Sequence, residues 1–237
     1  MEQGKKYNPE SVDVRQMFND IAPKYDFLNH FLSAGTDKRW RKKTIRLLKP
    51  YHPVQILDVA TGTGDLAIEA LSLNPELITG IDISEEMLKI AEKKIEQRKY
   101  SNKIKLQRAA SEAIPFDDAT FDAVTVAFGV RNFANLETGI GEIYRVLKKE
   151  GAVAILEFSV PSSFPMKQLY LFYFRYILPI IGKTVSKSKS AYTYLPETVL
   201  AFPQGKKFTT ILDQAGFKES RFTRLSGGIC SIYFAIK

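Results

Sequence analysis

Residues Ile56–Leu66 read ILDVATGTGDL, and 18 positions after Gly64 the run Leu77–Asp82 (LITGID) closes on a lone aspartate. An apolar strand, a glycine-rich turn, a helix and a second strand ending in a carboxylate make a nucleotide-binding unit. Its glycines let backbone approach a ligand closely, and its acid stands where ribose hydroxyls can be held. No other stretch of the chain restricts fold and ligand so tightly.

The spacing of Gly62, Gly64 and Ala67 also suits a dinucleotide, so the glycines alone leave NAD and S-adenosylmethionine both open. The flanking charges separate them. Asp58 ends the first strand, Asp65 opens the helix, and the turn between them holds no Lys or Arg. Two carboxylates facing that turn repel a pyrophosphate and attract a ligand that carries an ammonium and a sulfonium. S-adenosylmethionine is the cofactor expected here, with Asp58, Gly62, Gly64 and Asp82 around it. A glycine turn without a ligand is the plain structural alternative, and the acid at the end of the second strand weighs against it.

With 237 residues, 45% of them hydrophobic, the chain can bury a full core, and its length favours one domain over 1–237. The single cysteine, Cys230, leaves no internal disulfide framework. The first 20 residues mix charges and hold no apolar stretch of a secretory signal, and no apolar run approaches the roughly 20 residues of a spanning helix. A cytoplasmic protein is expected, at most associated with a membrane surface. Charge is unevenly placed. Residues 1–50 carry 11 Lys/Arg against 6 Asp/Glu and residues 161–210 carry 7 against 1, whereas residues 51–160 carry 12 against 17. An acidic cofactor region lies between basic flanks that attract phosphate, whether of nucleic acid or of anionic lipid, unless they are simply solvated faces.

Three helical patterns precede the glycine unit, at about 10–21, 24–33 and 37–49. Strands follow at about 54–58, 77–81, 103–108, 121–127 and 152–158, with helices at about 65–73, 84–99 and 136–147 between them, the second capped by Ser84. The chain ends in a helix at about 205–215 and strands at about 217–225 and 229–236, joined through Gly227 and Gly228. The short polar stretch Lys183–Ser190 reads as a loop. This pattern gives an α/β fold: a mostly parallel, Rossmann-like seven-stranded sheet with helices on both faces and a C-terminal antiparallel hairpin, the class I methyltransferase arrangement.

Five further segments carry a closer likeness. YDFLNHFLSAGTDKRW (Tyr25–Trp40), FGVRNF (Phe128–Phe133), RVLKKEGAVAILEFS (Arg145–Ser159), YTYLPETVLAFP (Tyr192–Pro203) and LSGGICS (Leu225–Ser231) resemble the ubiquinone/menaquinone biosynthesis C-methyltransferase family. The likeness spans nearly the whole chain. It implies methyl transfer from S-adenosylmethionine to a ring carbon of a prenylated quinol. Demethylmenaquinol is the expected acceptor and a benzoquinol of ubiquinone synthesis the alternative. It also implies that Thr61 belongs to the cofactor site. In the same view, 1–50 form a helical cap and 160–205 an inserted segment that covers the substrate. Where the family usually has Met, His and Pro-Gly, this chain has Leu28, Asp37 and Lys149-Glu150, which read as packing and turn positions. Ala110 replaces an Asp or Asn that would accept from the adenine amino group, which leaves that contact to backbone groups around Ala110 and Ser111.

Carbon methylation needs an electron-rich ring, and a nearby cation that stabilises a quinolate supplies it. Arg131, just past the fourth strand, is the candidate, and the resemblance points to the same Arg131 and Asn132 pair. An arginine stays protonated, so its role would be electrostatic. A salt bridge to a helix carboxylate is the structural alternative. Tyr25 and Asn29 share a helix face, with Asp26 beside them, and Tyr25 would bond the quinol oxygen or else anchor its helix. His30 and His52 form no metal or triad pattern, so no metal is expected.

A nucleic-acid methyltransferase is the rival from another class, motivated by the basic flanks. The FGVRN segment lacks the Asn-Pro-Pro-aromatic signature that clamps an exocyclic amine, so no nucleic-acid partner is expected. Oligomeric state is not legible. Residues 164–181, FPMKQLYLFYFRYILPII, combine aromatic and aliphatic side chains with Lys167 and Arg175. They suit either a lid over the quinol pocket or a peripheral contact with anionic membrane.

Overall fold

A computed structural model of the chain describes residues 13–33, 35–177 and 189–237. Strands β1 (Gln55–Val59), β2 (Leu77–Asp82), β3 (Ile104–Arg108), β4 (Phe121–Ala127) and β5 (Leu147–Phe158) run parallel. Strands β6 (Lys218–Leu225) and β7 (Cys230–Ile236) complete one sheet in the order β3-β2-β1-β4-β5-β7-β6, with β7 antiparallel to both neighbours. Parallel strands are covered on both faces, which is why β1 is buried from Ile56 to Val59, Asp58 included. Its Ile56 packs on one side with Ile45, Leu66, Ala67, Ala91 and Ile95. These come from helices α2 (Thr36–Arg46), α3 (Asp65–Ala70) and α4 (Glu85–Gln97). Leu57 packs on the other side with Ile140, Ile143, Phe208 and Leu212.

That second layer consists of α5 (Leu136–Val146) and a helix near the carboxyl end of the chain, α8 (Lys206–Gln214). Local signals start these helices where expected. Ser84 Oγ accepts from the amide of Met87 at 3.2 Å, and Asn135 caps α5 in the same way through Thr138 at 2.9 Å.

The N-terminal helices differ from the expectation. The patterns at 10–21 and 24–33 form one helix, α1 (Val14–Leu32), that runs through Pro23, while residues 10–12 lie outside the described chain. A proline removes one helical donor. Tertiary bonds on both sides of it outweigh that loss: Asn19 Oδ1 accepts from Ser84 Oγ at 2.7 Å, and Asp26 accepts from Thr63 Oγ1 at 2.6 Å and pairs with Lys94 at 2.5 Å. Beyond β5 come α6 (Met166–Phe172), a π turn (Tyr173–Ile177) and α7 (Lys189–Ala201). Of the stretch expected as a loop, 183–188 lie outside the described residues, and Lys189 and Ser190 open α7.

Candidate active site

A cavity of about 570 Å³ opens at the carboxyl ends of β1, β2, β3 and β4, where open α/β sheets hold their ligands. The chain reaches it through two turns that nearly touch. A Cβ on Gly129, after β4, would stand 2.6 Å from the Cβ of Ala60, after β1, so only glycine fits there. Gly62 takes a left-handed backbone (φ 55°), and a Cβ added to it would meet only the Tyr25 ring, at 4.0 Å. That open cradle against bare backbone suits the close approach of a nucleoside.

Asp82 lines the cavity at the end of β2. Its carboxylate accepts from the amides of Gly62 and Ser84, both at 2.8 Å, so it also holds the glycine turn in place. Burial pushes its carboxyl above the usual range, opposed by those backbone donors. Each oxygen keeps a further lone pair for a ribose hydroxyl. Ala110 and Ser111 line the same cavity beyond β3. Gly64 (φ 82°) lines neither this cavity nor a smaller one beneath the turn. A Cβ there would stand 3.2 Å from Ala91, which ties the residue to the packing of α3 on α4.

Asp58 and Thr61 lie under the turn, against the smaller cavity of about 20 Å³. Asp58 is buried, accepts from Thr61 Oγ1 and Thr125 Oγ1 at 2.6 Å each, and has its carboxyl pushed up to about 6 by burial. Asp65 departs from the expectation that it faces a ligand. It pairs with Lys94 at 2.8 Å and lies 3.6 Å from Arg41, because both cations flank the start of α3. The carboxylates lining the main cavity are Asp13, Asp82 and Glu112, with Asp58 beneath. Asp37, read above as a packing position, is instead a buried partner of Arg41.

At the other end, Arg131 lines the cavity from the short turn after β4. It is both exposed to the cavity and ion-paired. Its Nη1 donates to Glu157 Oε1 at 2.7 Å and to the carbonyl of Phe128 at 2.6 Å, and its carboxylate partner sits on strand β5 rather than on a helix. Burial is the largest single influence and pulls the guanidinium down, but the attraction and hydrogen bond of Glu157, together with Tyr25 and Tyr194, outweigh it and hold the group above its ordinary range, so it stays charged. Buried Nε has no hydrogen-bond partner among the described residues. The field reaching the cavity is that of an ion pair with spare donors, not of a bare cation.

Asn132 accepts from Tyr194 Oη at 3.0 Å and donates to the Phe128 carbonyl at 3.3 Å. Tyr25 and Tyr194 line the cavity from α1 and α7, and both act on the charge of Arg131. The side chains of Asn29 and His30 lie outside the described residues. His52 does not line this cavity and ends a short turn after α2. No group of three or more His, Cys, Asp or Glu side chains among the described residues can hold a metal.

Sequence reasoning passed over Phe128, Glu157, Tyr194 and Glu112. Phe128 adopts a left-handed backbone (φ 58°), rare for a bulky residue, and this turns its carbonyl toward Arg131 and Asn132. Its ring stacks on Phe158 at 4.4 Å, which holds the strained turn. Glu157 and Tyr194 lay within quoted segments, yet no spacing links them to residues 26 and 62 positions away.

Comparisons with known proteins identify the family and the fold. The model of the ubiE/COQ5 methyltransferase family matches residues 5–237. The chain is 49% identical to the demethylmenaquinone methyltransferase of Bacteroides fragilis, over 96% of this chain and 94% of that one. It is 44% identical to the ubiquinone/menaquinone biosynthesis C-methyltransferase UbiE of Citrifermentans bemidjiense, over 94% and 96%. Among solved structures, a SAM-dependent methyltransferase of Thermotoga maritima, described as a possible histamine N-methyltransferase, superposes with a TM-score of 0.64 at 18% identity, over 94% of this chain and 99% of that one. At that identity the likeness speaks for the fold alone.

Proposed function

The chain belongs to the ubiE/COQ5 methyltransferase family, and on that premise we propose that it methylates a ring carbon of demethylmenaquinol to form menaquinol. The observation that carries this reading is the 49% identity, over 96% of the chain, to a demethylmenaquinone methyltransferase. S-adenosylmethionine is the methyl donor and supplies an electrophilic methyl group on a sulfonium. Asp82 and Gly62 are proposed to hold its nucleoside, with Thr61 and Asp58 supporting the turn from below and Gly64 setting the helix behind it. Arg131 is proposed to hold a quinol oxygen as its anion through donors left free by Glu157, which raises electron density at the neighbouring ring carbon. Asn132 and Tyr25 are placed to fix the ring beside it.

The prenyl tail of such a substrate resides in a bilayer. Among the described residues no helix is long and apolar enough to cross a membrane. The covering segment nonetheless presents Phe164 (81% exposed), Leu169, Phe172 and Tyr176 to solvent beside Lys167 and Arg175. Aromatic rings with snorkelling cations suit the interface of an anionic membrane, and we assign peripheral contact to this face. The test of the reaction is product mass. Enzyme and S-adenosylmethionine are incubated anaerobically with reduced demethylmenaquinone, and in parallel with the corresponding reduced benzoquinone. A gain of one methyl on the naphthoquinol is expected. Methylation of the benzoquinol alone would reverse the substrate assignment, and no methylation of either would remove the function.

A further inference from the structure

We propose that Tyr194 is a positioning residue for methyl transfer. It fixes the side-chain amide of Asn132 beside Arg131, so that the reacting end is complete only when the covering segment is in place. This rests on the reading that Arg131 and Asn132 meet the quinol ring. Tyr25, Arg131, Asn132, Tyr194 and Thr198 line the cavity together. Arg131 and Asn132 stand on the short turn after β4, whereas Tyr194 comes from α7, 62 positions beyond Asn132. Only 5% of Tyr194 is exposed.

The bonds around Asn132 decide which way its amide points. Its Nδ2 lies 3.3 Å from the carbonyl oxygen of Phe128, and its Oδ1 lies 3.0 Å from Tyr194 Oη. A carbonyl only accepts, so the nitrogen must face Phe128, and the amide oxygen must then take the one proton of the tyrosine. The bond to Phe128 is longer than the usual range of roughly 2.7–3.2 Å, so by itself it holds the amide weakly. Tyr194 supplies the second point of attachment. Arg131 Nη1 donates to the same Phe128 carbonyl at 2.6 Å, which sets the two donors side by side. The second N–H of Asn132 has no partner among the described residues, and this is the donor offered to a quinol oxygen next to the guanidinium. A donor held in place stabilises developing negative charge better than a mobile one. The far end of α7 is seated independently of Tyr194. Gln204 Nε2 donates to the Val199 carbonyl at 2.6 Å, its Oε1 accepts from the amide of Val160 at 2.7 Å, and Val199 and Phe202 are buried.

The test is Tyr194→Phe, which keeps the ring and removes the hydroxyl. With reduced demethylmenaquinone its single-turnover rate is expected to fall about tenfold, while KM changes by less than about threefold and S-adenosylhomocysteine affinity by less than about twofold. The rise of kcat with pH should also move to higher pH, because a loosely held donor favours the quinolate less. A merely structural role would lower rate and cofactor affinity together and leave the pH profile in place. The same change is then made in Asn132→Ala. There it should cost less than about twofold, since the residue through which Tyr194 acts is gone. A loss of about tenfold in that background as well overturns the assignment, as does a wild-type rate in Tyr194→Phe. Equal losses of rate and of S-adenosylhomocysteine affinity overturn it too, and all three results leave the proposed reaction intact. Failure of wild type to methylate reduced demethylmenaquinone removes both.

Discussion

The carboxylate of Glu157 lies 2.7 Å from the guanidinium of Arg131, with 0% and 6% of the two side chains exposed. Arg131 lines the cavity and Glu157 does not. Any effect of Glu157 on the reaction must therefore pass through the orientation and charge of its partner. Breaking a buried pair from one side leaves the other charge uncompensated, which costs several kcal/mol. Glu157→Gln keeps the shape and part of the hydrogen bonding. It is expected to lose about 2 to 3 kcal/mol of stability and at least tenfold in turnover, with S-adenosylhomocysteine affinity within about twofold of wild type. Urea denaturation, single-turnover kinetics and calorimetry read the three quantities. Unchanged turnover in a folded variant would sink the positioning role.

Asp58 gives the site a pH dependence whose sign is fixed. Its folded carboxyl is raised by burial to about 6 from an ordinary value of 3.8. The native state then holds the proton more tightly than the unfolded chain does. The stability this contributes is complete below the unfolded value and is lost as pH rises through about 6. Between about pH 4 and pH 7.5 the loss from this one group is about 2 to 3 kcal/mol, and Asp58→Asn should abolish it. Ligand affinity moves the other way, because an ammonium favours the ionised carboxylate. S-adenosylhomocysteine should bind wild type more tightly at about pH 7.5 than at about pH 5.5. A variant showing the same slope as wild type would assign that titration elsewhere.

The likeness at Arg145–Ser159 marks another testable position. Glu150 stands where the family usually has glycine, and its backbone is left-handed (φ 63°). A side chain there strains against the following carbonyl. Glu150→Gly is expected to stabilise the protein by about 1 kcal/mol, a rise of about 2 to 4 °C in Tm for a chain of this size. A differential scanning measurement showing a lower Tm would mean that Glu150 makes a compensating contact.

The sheet was legible because its signals are local: an apolar run such as Ala152–Leu156 and an N-cap such as Ser84 announce themselves within a few residues. The pairing of the glycine turn with the acid was legible for the same reason, since Gly62 and Asp82 belong to one strand-turn-helix-strand unit. The reacting half was not. Arg131 could be chosen, yet its carboxylate partner lies on β5, its carbonyl partner depends on a left-handed phenylalanine, and Asn132 meets Tyr194 from α7. Those relations exist only once distant elements pack together. The same limit explains Asp65, whose cations Arg41 and Lys94 come from α2 and α4.

The exposed aromatic face bears on how a prenyl tail reaches the cavity. Phe172 is 55% exposed on α6 and its ring lies 5.1 Å from Tyr176 in the following π turn. Replacing a side chain so open to water should leave the core undisturbed, so Phe172→Asp separates surface function from folding. Wild type is expected to float with vesicles containing anionic lipid and to be released as salt rises, because cations such as Lys167 and Arg175 act through screened attraction. Phe172→Asp should float less. It should also lose about fivefold or more in activity on long-tailed quinols in vesicles, since it places a charge at the apolar interface, while activity on a tailless quinol in solution stays unchanged. Equal losses on both substrates with flotation intact would make this face part of the lid over the cavity and move membrane contact elsewhere on the protein.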